Sequence, residues 1–218
     1  MVLLLLLLMF SSSSSSFQSV TAECPDKCTC EEEKVYCIDQ ELDRIPTHIP
    51  PATKKLELSH NEIRDVKSLA HLTELQSLNL NRNYIRDIES LARLTELHVL
   101  NLNNNNISEV KNGAFANLSK LQILDLSYNE IRDIESLAHL TDLEDLNLSN
   151  NNISKVKNGA FANLLELQIL FLDSNKIREI EPKSFNHLTE LEILNLSNNN
   201  ISEVKNGAFT NLSKLWAL

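Results

Sequence analysis

The chain holds only three glycines in 218 residues. That leaves no glycine-rich loop of the kind that cradles phosphates, and no G-x-S-x-G nucleophile turn is present either. Cysteine is confined to four residues, Cys24, Cys28, Cys30 and Cys37, so none remains elsewhere to act as a nucleophile. Positive charge is scarce. Lys and Arg number 20 against 30 Asp and Glu, a formal net charge of −10. Nucleic-acid binding needs basic patches, so the balance argues against it, and it also disfavours anionic membranes. The one long apolar run, Val2 to Phe10, has nine residues, where about 20 are needed to cross a bilayer.

What is present is a repeat. The pattern L-x-x-L-x-L-x-x-N-x-I occurs seven times, once with Thr53 in place of its first Leu. Its Asn residues are Asn61, Asn83, Asn105, Asn129, Asn151, Asn175 and Asn199, separated by 22, 22, 24, 22, 24 and 24 residues. A fixed period of this length means a stacked architecture. Each L-x-L is a short strand whose leucines point inward and whose middle residue points out. A buried Asn can donate and accept, and so can satisfy backbone groups of the turns above and below. One unit cannot bury its leucines, whereas a stack buries them in one continuous core.

The second half of each unit has two forms. The 22-residue form reads I-R-D-I-E-S-L-A-x-L-T, as at Ile85 to Thr95 and Ile131 to Thr141. The 24-residue form reads I-S-x-V-K-N-G-A-F-x-N-L, as at Ile107, Ile153 and Ile201. Its Phe115, Phe161 and Phe209, with Phe185 of an intermediate copy, are expected to fill the core from the outer side. The acidic pairs Asp87/Glu89 and Asp133/Glu135 are identical copies in different repeats and read as a surface pattern, not a catalytic pair. The six histidines scatter over different positions, and His71 and His139 share a slot that Arg93 occupies between them. No catalytic group, metal site or cofactor is read from the chain.

The units resemble leucine-rich repeats of the extracellular, horseshoe-forming kind, over residues 53 to 218. The short form also resembles repeats of an intracellular phosphatase-regulator family and of bacterial internalins. The long N-G-A-F form resembles Slit-like, Toll-like and variable lymphocyte receptor repeats. The resemblance implies an α/β-type repeat solenoid with a parallel β-sheet on the concave side and an irregular or short-helical convex side. It also implies binding, not catalysis, through the outward residues of the strands.

Both ends are informative. Val2 to Phe10 has the length of a signal-peptide core, and Val20-Thr21-Ala22 fits a cleavage site. Residues 1–22 are therefore expected to be removed, leaving Glu23 as the mature start and a secreted protein. Residues 23–52 are expected to cap the exposed end of the core. Four close cysteines allow three pairings, and the C-x3-C-x-C-x6-C spacing does not fit common zinc modules. The resemblance to extracellular amino-terminal caps implies Cys24–Cys30 and Cys28–Cys37. Residues 53–218 are read as seven repeats and a truncated eighth starting at Leu215, without a carboxy-terminal cap. That open end is expected either to mark a fragment, whose missing part could carry a membrane anchor, or to associate with a second copy.

Three outward rows can be read along the strands. One runs Lys55, Ser77, Val99, Ile123, Asp145, Ile169, Ile193. The next runs Glu57, Asn79, Asn101, Asp125, Asn147, Phe171, Asn195. The third runs His60, Arg82, Asn104, Tyr128, Asn150, Ser174, Asn198. Phe171 is the one apolar member of its row. It is expected to stand solvent-exposed beside Ile169 and Ile193, whose row also holds Ile123. Tyr128 lies about 10 Å along the stack, and Asp125, Asp145 and Asp173 form an acidic rim. An exposed aromatic among aliphatic residues has the composition of an interface anchor. The expected ligand is a protein or a glycan. Glycosylation sequons at Asn106, Asn117, Asn147, Asn152, Asn195, Asn200 and Asn211 bear on this face, because Asn147 and Asn195 flank Phe171. A structural matrix role and an intracellular regulatory role are the alternative readings.

Overall fold

The computed structural model describes residues 24–111, 113–134, 137 and 139–218. The expected signal peptide, Glu23 and Glu135 lie outside the described residues. Nine strands form one sheet. A hairpin of β1 (Thr29–Glu31) and β2 (Lys34–Tyr36) opens it, and β3 (Lys55–Glu57) joins β2 in parallel. Then come β4 (Ser77–Asn79), β5 (Val99–Asn101), β6 (Ile123–Asp125) and β7 (Asp145–Asn147). On the outer side lies β8 (Lys155–Val156), and the sheet continues through β9 (Ile169–Phe171). After β10 (Glu179–Ile180), again outside, β11 (Ile193–Asn195) is the last strand of the sheet, with Ala217 bridged in parallel to Ile193 beyond it, and β12 (Glu203–Val204) is the last outer strand. Apart from the β1–β2 hairpin, every pairing in the large sheet is parallel.

The register places leucine on leucine. Leu56, Leu78, Leu100, Leu124, Leu146, Leu170 and Leu194 are successive partners, and each is at most 1% exposed. A slip of one residue would turn the whole row to water, so burial itself fixes the alignment. The conserved Asn locks each turn to the one before. Asn83 donates from Nδ2 to the carbonyls of Leu58 (3.0 Å), Leu80 (3.1 Å) and Asn81 (3.2 Å), and its Oδ1 accepts from the Ile63 N–H (2.9 Å). The same set recurs at Asn105, Asn129, Asn151, Asn175 and Asn199. These bonds reach the preceding repeat and the Asn's own turn, so the bridging runs one way along the stack.

The cap is part of this ladder. Asn61 donates to the Cys37 carbonyl at 2.7 Å and accepts from the N–H groups of Gln40 and Leu42. Disulfides join Cys24 to Cys30 and Cys28 to Cys37, with Cα separations of 5.8 and 4.4 Å. This is the pairing the resemblance implied.

The outer side follows repeat length. Short repeats make 3₁₀ turns at Lys67–His71 and Glu89–Arg93. Each is started by an aspartate, with Asp65 accepting from the Lys67 N–H and Asp87 from the Glu89 N–H. The Asp of the short form thus has a local structural task. Long repeats instead project a phenylalanine inward. Where long repeats are adjacent, Phe161, Phe185 and Phe209 stack at 5.7 Å centroid spacing, and β8, β10 and β12 form a small parallel sheet. Phe115 is fully buried but stands apart from this stack, because a short repeat separates it from Phe161.

Candidate protein-binding face

The three outward rows are the rows of the sheet. Ile123 pairs with Asp145, Asp145 with Ile169 and Ile169 with Ile193, while Phe171 pairs with Asn147 on one side and Asn195 on the other. The expectation that Phe171 stands solvent-exposed is corrected, because the residue is half-buried. Strands lie about 4.8 Å apart, so neighbours in register on both sides limit how far a ring in this row can stand free of the sheet. Ile169 and Ile193 are half-buried in the same way. Ile123 is 41% exposed and Tyr128 54%, and these two project most from the apolar patch.

Two features of this face were not read from the pattern. First, the middle residue of each strand closes a small turn. The side chain of Asn79 accepts from the Asn81 N–H (3.1 Å) and that of Asn101 from Asn103 (3.0 Å). Asp125, Asn147 and Asn195 each accept from both the N–H and the hydroxyl of the serine two residues on. Asn and Asp favour this geometry, and an N-L-S or D-L-S spacing signals it. Phe171 has no such acceptor, so its repeat trades a local hydrogen bond for an apolar surface. Second, the third row is left-handed throughout. His60, Arg82, Asn104, Tyr128, Asn150, Ser174 and Asn198 have φ between 51° and 58°. Asn tolerates this conformation, whereas Tyr, Arg and Ser carry a steric cost there. The Asn that follows each of them, buried in all but the last case, holds the turn in place.

The electrostatics are uneven. Burial, and then the neighbouring Glu144, push the Asp145 carboxyl above the ordinary aspartate range. Near the cap, Lys55 pairs with Glu57 at 3.1 Å and lies over the Tyr36 ring, and Lys54 pairs with Glu33 at 2.9 Å. Among the described residues no group of three or more His, Cys, Asp or Glu is arranged to hold a metal ion, and no helix is long and apolar enough to cross a membrane.

The sequons fall in three places. Asn147 and Asn195 lie half-buried on the sheet face. Both accept hydrogen bonds through Oδ1, which leaves these bonds clear of Nδ2, the atom that would carry a glycan. Asn106, Asn152 and Asn200 are equivalent to one another, each bonded through its N–H to an isoleucine carbonyl of the preceding repeat. Asn117 and Asn211 are exposed on the outer side, with Nδ2 directed at the Ala92 and Asn186 carbonyls of the repeat before. A cavity of about 940 Å³ lies in the cap between Cys24 to Lys27 and the Leu42 to Pro51 segment, a place the sequence did not single out.

Comparison with known proteins agrees with this architecture. The family described as "Leucine rich repeat" matches residues 95–153, 133–177 and 165–218, and "Leucine Rich repeats (2 copies)" matches residues 54–93. Mouse leucine-rich repeat-containing protein 52 is 40% identical over 48 residues, 22% of this chain and 15% of its own length. Rat decorin is 39% identical over 57 residues, 25% of this chain and 16% of its own. The chain thus spans under a fifth of the length of these curated relatives. Among solved structures, an internalin C2 of Listeria monocytogenes superposes with a TM-score of 0.73 at 29% identity, covering 85% of this chain and 80% of that one. A leucine-rich-repeat protein of Leptospira interrogans gives 0.69 at 28% identity, covering 77% and 43%. Proteins of this fold are in general protein-binding modules, and none of these matches is to an enzyme family. With family matches running over most of residues 54–218 and the Asn ladder present at every turn, the chain belongs to the leucine-rich repeat family.

Proposed function

We propose that this chain is a non-enzymatic extracellular recognition module that binds a protein, or the glycan of one, through the sheet face between Ile123 and Ile193. The observation that carries the reading is the placement of Phe171. It breaks an otherwise polar row and sits in register between two asparagines, next to the Ile169–Ile193 pair. The two disulfides support an oxidising compartment and oppose the intracellular reading. Removal of residues 1–22, a cap at residues 23–52 and repeats over 53–218 belong to the same proposal.

The test has two steps. The first is the intact mass of protein secreted from eukaryotic cells, with and without glycan removal. It should give a mature start at Glu23, two disulfides, and Asn147 and Asn195 unmodified. The second uses wild-type chain to capture a partner from an extracellular protein library, then compares Phe171→Ala. An anchor residue contributes about 2 kcal/mol or more, so affinity should fall by roughly thirtyfold. A change within twofold, or a glycan on either asparagine, would overturn binding through this face. Self-association through the last repeat is the remaining part of the proposal. Trp216 is 71% exposed and Leu218 75%. A dimer by light scattering that Trp216→Ser dissolves would support it, and a monomer at all concentrations would end it.

A further inference from the structure

The acids of this protein are treated differently on its two sides. On the outer side several of them are paired across repeats. Glu89 meets Lys111, Glu96 meets Lys120, Asp133 meets Lys157 and Glu190 meets Lys214. Glu179 takes both Lys155 and Lys205. On the sheet face the division runs along the stack. The outward positions of β3 to β5 and the residues flanking them carry Lys54, Lys55, His60, Arg82 and His98 against Glu57 alone. The same positions of β6, β7, β9 and β11 carry Asp125, Glu144, Asp145, Asp173 and Glu192, and no Lys, Arg or His.

None of those five acids has a cation within ion-pair distance among the described residues. Their bonds come from neutral donors. Asp125 is held by Asn103 and Ser127, Glu144 by Gln122, and Asp173 by Ser174. Asp145 is partly desolvated and next to another carboxylate. A partly desolvated acid without a counter-ion, beside exposed apolar side chains, is a surface whose electrostatic complement is supplied from outside.

We infer that the β6 to β11 half of the sheet face takes a cationic, amphipathic segment of a protein partner. Its Lys or Arg groups would lie against Asp145 and Asp173, and an apolar side chain would seat on Phe171 between the strands. The inference rests on the proposed protein-binding role of this face and adds the chemistry of the partner. An acidic partner is opposed because it would meet five carboxylates with no cation among them. A second copy is the competing occupant, because the basic half of one face complements the acidic half of another.

The test uses the whole secreted chain and three labelled peptides of equal length: alternating lysine and leucine, alternating glutamate and leucine, and lysine alone. Fluorescence anisotropy reads binding. The lysine–leucine peptide should bind, weakening as salt is raised, and the glutamate–leucine peptide should not. The lysine-only peptide should bind at least about tenfold more weakly, a difference of about 1.4 kcal/mol. The double variant Asp145→Asn, Asp173→Asn should lose about tenfold in affinity and flatten the salt dependence. These acids are chosen because neither holds a backbone N–H of its turn, as Asp125 does, so the variant keeps its fold. Equal binding of the two leucine peptides, no binding by either, or an unchanged double variant would overturn the partner class. If Phe171→Ala still abolished capture of a protein partner in that case, the binding face would stand and only its charge preference would fall. A dimer in solution broken by Asp145→Lys would assign the face to a second copy and also overturn the inference.

Discussion

Asn175 donates its side-chain amide to the carbonyl of Leu148, one repeat earlier, at 2.9 Å, while its Oδ1 accepts from the N–H of Ile153 at 3.0 Å. The bond pair links two turns that share no covalent neighbour. Both bonds are buried. Asn175→Leu keeps the branched shape but leaves the Ile153 N–H without a partner, and it takes from the Leu148 carbonyl one of its two donors, the other being Asn151 at 3.1 Å. An unpaired buried N–H costs about 1–3 kcal/mol, so the variant should lose about 2 kcal/mol in urea denaturation. A loss below 1 kcal/mol would mean the ladder is decorative.

The three glycines form a second series. Gly113, Gly159 and Gly207 occupy the same turn of the long repeat, with φ of 100°, 78° and 84°. Lys183 occupies the equivalent place in the intermediate repeat with φ of 61°. A Cβ at Gly159 would meet nothing within 4 Å, so any penalty there is backbone strain alone. Gly159→Ala should cost about 1 kcal/mol. Lys183→Gly should do the reverse and gain about 0.5 kcal/mol, strain relief exceeding the added freedom of the unfolded chain. Thermal melts check both, at about 2–4 °C per kcal/mol for a chain of this size. Equal signs for the two substitutions would refute the strain account.

The rows of the binding face were legible because a strand alternates and a repeat copies. Lys55, Ser77 and Val99 could be aligned from the spacing of their leucines alone, and the sheet register agrees. The half-burial of Phe171 was not legible. It depends on what stands beside the residue across the sheet, which no spacing of residues along the chain states. The left-handed turn at Tyr128 was hidden for a similar reason. Tyrosine does not favour that conformation, and the constraint comes from Asn129, whose partner is the Leu102 carbonyl of another repeat. The Phe161–Phe185–Phe209 stack and the outer strands were within reach. Both arise where 24-residue repeats are adjacent, so that equal loops superpose.

The cap gives a third prediction. Cys37 is fully buried, its disulfide partner is Cys28, and its carbonyl accepts from Asn61. Removing the Cys28–Cys37 bond by a double Ser substitution should cost about 2–5 kcal/mol. Loss should begin at the β1–β2 end, because stability in a stack propagates between neighbours. Hydrogen exchange should then show Leu56 and Leu78 losing protection before Leu170. Uniform loss along the stack would show that the cap acts globally.

Asp145 offers the last prediction, and its sign is opposite to the usual one for a carboxylate. Its folded pKa is raised, chiefly by burial and then by Glu144. The protonated form is therefore the one the fold prefers, and ionisation opposes folding once pH exceeds the ordinary aspartate value. The penalty grows as pH rises between the unfolded and folded pKa values and is constant above the folded one. Below the unfolded value it is absent. Asp145→Asn should therefore stabilise the chain at neutral pH, by a margin within the surface-substitution range of about 0.5 kcal/mol. That advantage should shrink as pH falls through the folded pKa. Urea midpoints of the two proteins across acid to neutral pH should converge at the acid end. A gap that stays constant would place its origin in packing. A partner bringing a cation to this carboxylate would lower its pKa, so binding near that pKa should release a proton. Calorimetry in buffers of different ionisation enthalpy would detect that release.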